Sequence, residues 1–195
     1  MRQDGAAILT GSSANTDANA SSQCTLARFG YGSNTIYIDD IYVIDTTGSI
    51  NNDFLGPVQS LFKPAAADSA TNTGWTPSTG TDHFAVVDER PANDDTDYVS
   101  AASTTLVDTY DCGDIGGTDV VLCVTTKLLA RKTDAGVAQL TPTIRVNGTN
   151  YDGTTVSLPD TYEYVDNHFE VSPDTGIQWT AAEVNASELA GMTSA

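Results

Sequence analysis

Residues 88–99 read DERPANDDTDYV, with five carboxylates and one arginine in twelve residues. Carboxylates at that density can do three things. They can hold a hard cation, which takes oxygen ligands from Asp, Glu and backbone carbonyls. They can work as an acid–base pair, which needs two carboxyls about 5–9 Å apart in a cleft. Or they can accept backbone N–H bonds and shape a turn. The EF-hand spacing is missing, since no glycine and distal glutamate stand at the required places. Calcium bound here would be held by Asp94, Asp95 and Asp97 in a loop of another kind. Pro91 and Asn93 mark a turn, and Tyr98-Val99 restarts a strand. The solvated turn therefore ranks first, calcium second and catalysis last.

Other chemical signatures are missing from the sequence. There is no GxSxG, no HExxH, no GxGxxG and no phosphate-cradling GxxxxGK[ST]. The two histidines, His83 and His168, have no serine at a recognisable spacing. The three cysteines, Cys24, Cys112 and Cys123, form no CxxC pair, which argues against structural zinc. Cys123 lies in the apolar run VVLCV and is expected as a buried free thiol. A bridge to Cys112 across a hairpin at 113–117 is the alternative. Trp75 and Trp179, in GWTPSTG and QWTAAEV, read as core anchors at strand ends ahead of sugar-stacking platforms. The expectation is a protein that is not an enzyme and has no cofactor beyond possible calcium.

The whole chain sets the electrostatic frame. Its 195 residues suffice for one or two small domains. With 26 acids against 8 bases its formal net charge is −18, which repels phosphate backbones and anionic membranes. No run reaches the roughly 18 apolar residues of a membrane span. The opening MRQDGAAILTGSS has only a four-residue apolar run, too short for a signal peptide.

The elements that would position these residues follow a period of two. TIYIDDIYVID (35–45), VVLCVTTKLLA (120–130), VAQLTPTIRV (137–146) and TYEYVDNHFEV (161–171) all read as strands. The second and third are expected to form a hairpin across ARKTDAG, and NGTNYDG (147–153) supplies a second tight connection. Helix is confined to WTAAEVNASELAG (179–191), where Thr180 and Glu183 have capping-box spacing. The tail after it reads equally as a closing strand. Turn signals every 8 to 14 residues predict an all-β chain, a β-sandwich or jelly roll. The polar stretch GSINNDF (48–54) marks a junction between a strand-rich segment, 1–50, and a β-sandwich domain, 51–195.

As a group, several segments resemble virion structural proteins of tailed bacteriophages. IYIDDIYVIDTTGSINNDFLGPV (36–58) is similar to the last strands of a concanavalin A/laminin-G-like sandwich and its passage into a second β domain. GWTPSTGTDHFAVVDERPANDDTDYVS (74–100), ARKTDAG (130–136), RVNGTNYDG (145–153) and SPDTGIQWTAAEVNASELAG (172–191) continue the likeness. Longer relatives carry a whole lectin-like domain ahead of IDDIYVID, where this chain has only its last piece. That short piece is suited to adding strands to a neighbouring subunit. The resemblance implies a capsid decoration or cement protein on the outer surface of the virion, made in the host cytoplasm. A tail or fibre component with a carbohydrate-binding sandwich is the alternative, and a glycan hydrolase comes third. The implied partners are the major capsid protein or other virion proteins, and copies of itself, as a trimer. Nucleic acid and membranes are not expected partners.

Overall fold

The computed structural model describes residues 2–3, 6–7, 49–52, 55–56 and 58–194. The TIYIDDIYVID segment lies outside the described residues. The chain divides into two compact units, Met1–Ser60 and Leu61–Ala195. In the first, β1 (Arg2–Gln3) pairs antiparallel with β2 (Ala6–Ala7).

The second unit is all-β and sandwich-like. Its strands are β3 (Ala67–Thr73), β4 (Thr76–Pro77), β5 (Val99–Ser100), β6 (Val107–Asp111), β7 (Val124–Ala130), β8 (Gln139–Val146), β9 (Thr149–Asp152), β10 (Val156–Ser157), β11 (Glu163–Phe169) and β12 (Ala190–Ser194). A six-stranded antiparallel sheet runs in the order β10-β8-β12-β6-β3, with β9 also paired to β8. A second layer is the pair β7–β11, in register from Val124↔Phe169 to Ala130↔Glu163. β4 and β5 form a small ribbon within the 75–100 region.

Alternation decides what each strand buries. On β8, Leu140, Ile144 and Val146 face the core, while Thr141, Thr143 and Arg145 form the opposite row. Leu140 joins Ala65, Tyr110, Val165 and Met192 in one core cluster, with Trp75, Phe84, Leu128 and Val156 against it. Ile144 and Val146 join Trp179 and Val184 in a second, closed by Val124, Tyr151 and Phe169. β7 and β11 thus supply side chains to both clusters. Burying a side chain of Ile or Val size contributes roughly 1.5–3 kcal/mol, so these two rows are a large part of the fold's stability.

Two local signals of the sequence hold, a turn and a helix cap. Asn147 and Gly148 both have positive φ, 48° and 80°, as a type I′ turn between β8 and β9 requires. The one α-helix among the described residues, α1 (Ala181–Asn185), has Thr180 as its N-cap, accepting from the Glu183 backbone N–H at 3.1 Å. The Glu183 carboxylate does not complete a capping box; it takes the Ser172 hydroxyl instead. A 3-10 turn at Phe84–Val86 was not expected. Residues 190–194 are the closing strand, and it is central, between β6 and β8.

Pairing over distance departs from expectation. β7 and β8 do not form a hairpin: β7 pairs with β11, and β8 with β9, β10 and β12. The connection through ARKTDAG carries the chain from one layer to the other. Asp134 bends it by accepting from Gly136 N–H at 3.0 Å, and Lys132 N–H bonds Pro159 at 2.8 Å. β7 also starts later than expected, at Val124, and Val120 is exposed, joined to Thr180 by an isolated bridge.

Candidate functional site

A buried polar cluster centres on Asp108, which β6 places on the inner face beside Tyr110. Asp108 has no exposed surface. Its Oδ2 bonds His83 Nδ1 at 2.7 Å and accepts from the Tyr110 hydroxyl at 3.0 Å. Its Oδ1 accepts from Trp75 N–H at 2.8 Å. Asp68, on β3, fixes the other side of His83 by accepting from the backbone N–H groups of His83 at 2.9 Å and Phe84 at 2.6 Å. Burial, reinforced by the Asp108 charge, raises the Tyr110 pKa well above the usual phenol range. A His–Asp pair is half of a nucleophilic triad. Here no serine, threonine or cysteine side chain bonds His83 among the described residues. The cluster instead fastens the 75–87 segment to β3 and β6.

The acidic turn is organised by its neighbours. Asp95 Oδ1 takes Arg131 Nη2 at 2.7 Å and the Tyr162 hydroxyl at 2.8 Å. Those two bonds, Arg131 first, hold its pKa below the ordinary carboxylate value. The Arg131 guanidinium also lies over the Tyr162 ring, 5.2 Å from its centroid. Asp97 accepts from Asn93 Nδ2 at 3.0 Å, and Asp94 occupies the left-handed region with φ 56°. Asp94, Asp95 and Asp97 are not gathered into one ligand set. Among the described residues no three His, Cys, Asp or Glu side chains converge to hold a metal ion.

Elsewhere the same economy recurs. Asp174 accepts from Asn147 Nδ2 at 2.6 Å and from the Tyr151 hydroxyl at 2.8 Å, tying the β8–β9 turn to the 172–177 loop. These bonds lower its pKa, Asn147 first. On the outer face of the large sheet Thr109 and Thr143 are fully buried under polar side chains. Glu188 accepts from the Thr109 hydroxyl and lies 3.8 Å from Arg145, and Asn72 bonds both Thr109 and Asn150. Thr143 reaches Asp152 at 2.8 Å and Thr193 at 2.7 Å.

Both tryptophans are packed into the cores. Trp179 is buried and donates to the Phe169 carbonyl at 2.8 Å, and Trp75 donates to the Leu106 carbonyl at 3.0 Å. The cysteine expectation is corrected: Cys123 is exposed and Cys112 is the buried thiol, both unbridged. β6 and β7 belong to different sheets, so no hairpin brings residues 112 and 123 together. Burial pushes the Cys112 thiol up to about 11.

Sequence reasoning missed Asp108 and Asp68. A signal was present in VDTYDC: alternation puts Asp108 on the same strand face as Tyr110 and Cys112, so one carboxylate faces inward. Comparison with known proteins finds no matching family model, no matching curated protein and no matching solved structure.

Proposed function

We propose that this chain is a structural protein of a tailed-phage virion, and within that class a decoration protein on the outside of the capsid. The observation that carries the reading is the ordered series of segments, 36–58, 74–100, 130–136, 145–153 and 172–191, that resembles such proteins. The last four segments each contribute local ties within the second unit: the His83 and Asp95 contacts, the bend at Asp134, the Asn147–Gly148 turn and the Trp179–α1 corner. Their side chains hold loops and cap turns, which suits a durable scaffold. A net charge of −18 favours cationic partner surfaces. In this reading the partner is the major capsid protein, and the copies on the particle associate as trimers.

Quantitative mass spectrometry of purified particles tests it. Copies in proportion to the capsid lattice are the expected result. A handful per particle moves the chain to the tail or fibre, where carbohydrate binding becomes the question. Particles that lack the chain altogether overturn the virion reading.

A further inference from the structure

Asn147 is the one asparagine of the chain that is followed by glycine. The pair forms the β8–β9 turn, with positive φ at both residues and both exposed to solvent. Asn147 Nδ2 donates to Asp174 Oδ2 at 2.6 Å, and the Tyr151 hydroxyl donates to Asp174 Oδ1 at 2.8 Å. These bonds attach the 172–177 loop to the turn. The loop's own shape rests on other contacts. Ser172 N–H donates to the Ile177 carbonyl, and Gly176 N–H donates to the Ser172 carbonyl. Weakening the attachment therefore frees the loop as a unit and leaves its shape.

An exposed Asn-Gly pair is chemically short-lived, and asparagine is among the thermolabile residues. The backbone nitrogen of Gly148 can attack the side-chain carbonyl carbon of Asn147. A bond forms between that nitrogen and Cγ, and the Cγ–Nδ2 bond breaks. Ammonia leaves with the proton that the Gly148 nitrogen gives up. The cyclic imide then takes up water, opening to aspartate at one carbonyl or to isoaspartate at the other. The step needs only water. Glycine puts no side chain beside the attacking nitrogen, whereas every other asparagine here is followed by a residue that has one.

Asp174 decides what the conversion does. The Asn147 and Tyr151 bonds, Asn147 first, lower its pKa and keep it ionised. It now accepts a hydrogen bond from an amide. After conversion the same position holds a second carboxylate with no proton to donate, and like charges at that distance repel. The isoaspartyl form also adds one carbon to the main chain, inside a two-residue turn that sets the β8–β9 register.

We propose that Asn147 is a site of spontaneous, irreversible modification, and that turning its amide into a carboxylate unlatches the 172–177 loop from the β8–β9 turn. The inference uses only this turn and loop, and stands apart from the virion reading.

The test ages the full chain in mildly alkaline buffer, with a synthetic peptide of residues 143–152 alongside as the clock. Peptide mapping by mass spectrometry follows the change from amide to acid. The expected result is conversion at Asn147 ahead of every other asparagine, and more slowly than in the peptide, because Asp174 holds the amide. Earlier conversion elsewhere, or an intact Asn147 once the peptide is fully converted, overturns the assignment. The latch is read separately, from amide order parameters at 174–177. They should fall in Asn147→Asp, and return in Asn147→Asp/Asp174→Asn, where the amide and the carboxylate have changed places. Aspartate tolerates the left-handed backbone that asparagine holds at 147, so the strands should be undisturbed. Unchanged order parameters in the single variant, or no recovery in the double one, would show that the pair does not hold the loop.

Discussion

Asp108 accepts three hydrogen bonds in a place that water does not reach. Removing it orphans the His83 imidazole, the Tyr110 hydroxyl and the Trp75 N–H together. Asp108→Ala should therefore cost about 3–5 kcal/mol, the range for breaking a buried polar pair. Asp108→Asn, which keeps an acceptor, should cost clearly less. Chemical denaturation of the two variants checks the order. The thiols give a second outcome. In a Cys24→Ser background, native protein should alkylate rapidly at Cys123 and at Cys112 only after unfolding. The folded Cys112 pKa, about 11, lies above the ordinary 9.0. Its thiol thus favours the folded state fully below pH 9, and that contribution is lost as the pH rises toward 11. Stability measured between those limits should fall more steeply for the native cysteine than for Cys112→Ala. At the acidic turn, a chelator should leave the melting curve unmoved, because Asp95 is already committed to Arg131 and Tyr162. A chelator-sensitive melt that disappears when Asp94, Asp95 and Asp97 become Asn would assign a cation to the turn.

At the scale of elements, β12 fits where nothing larger could. A Cβ at Gly191 would lie 2.8 Å from the carbonyl oxygens of Asp108 and Thr143. Those backbones cannot withdraw without breaking the ladder on either side. Gly191→Ala should destabilise by about 1–3 kcal/mol, as overpacking does, whereas alanine at exposed Gly117, with open space around it, should be neutral. Thermal melts of both variants separate the two. This scale also marks where sequence is informative. The Asn147–Gly148 turn and the Thr180 cap were legible because each is fixed by residues a few positions apart. The period-two pattern likewise gave the strands and the all-β class. It did not give their partners, because the same alternation satisfies a hairpin neighbour and a strand from a distant part of the chain. β7 and β8 look like a hairpin pair until the β7–β11 register is seen. Cys123 misled for a related reason: an apolar run predicts burial, yet residues 120–123 stand ahead of the strand. The carboxylates that matter most were hidden by abundance, since density drew attention to 88–97 while Asp68 and Asp108 stand singly.

For the whole molecule, the division after Ser60 yields a direct expectation. A polypeptide of residues 61–195 should fold by itself, with a strand-dominated circular dichroism spectrum and one cooperative melting transition. Both core clusters and every strand from β3 to β12 lie within it. A non-cooperative melt would mean that the first unit completes the second. The same polypeptide separates folding from attachment: if residues 1–60 carry the assembly element, it should remain folded and no longer bind particles.

The central position of β12 has a consequence for how the protein is made. β6 and β8 are both finished long before residue 190, yet neither can complete its hydrogen bonding until β12 arrives between them. The six-stranded sheet cannot assemble strand by strand as the chain emerges. It waits, with two inner edges open, for its last strand to insert. Contacts that distant in sequence fold slowly, and open edges during the wait invite other chains. A net charge of −18 opposes the association of unfinished copies over that interval.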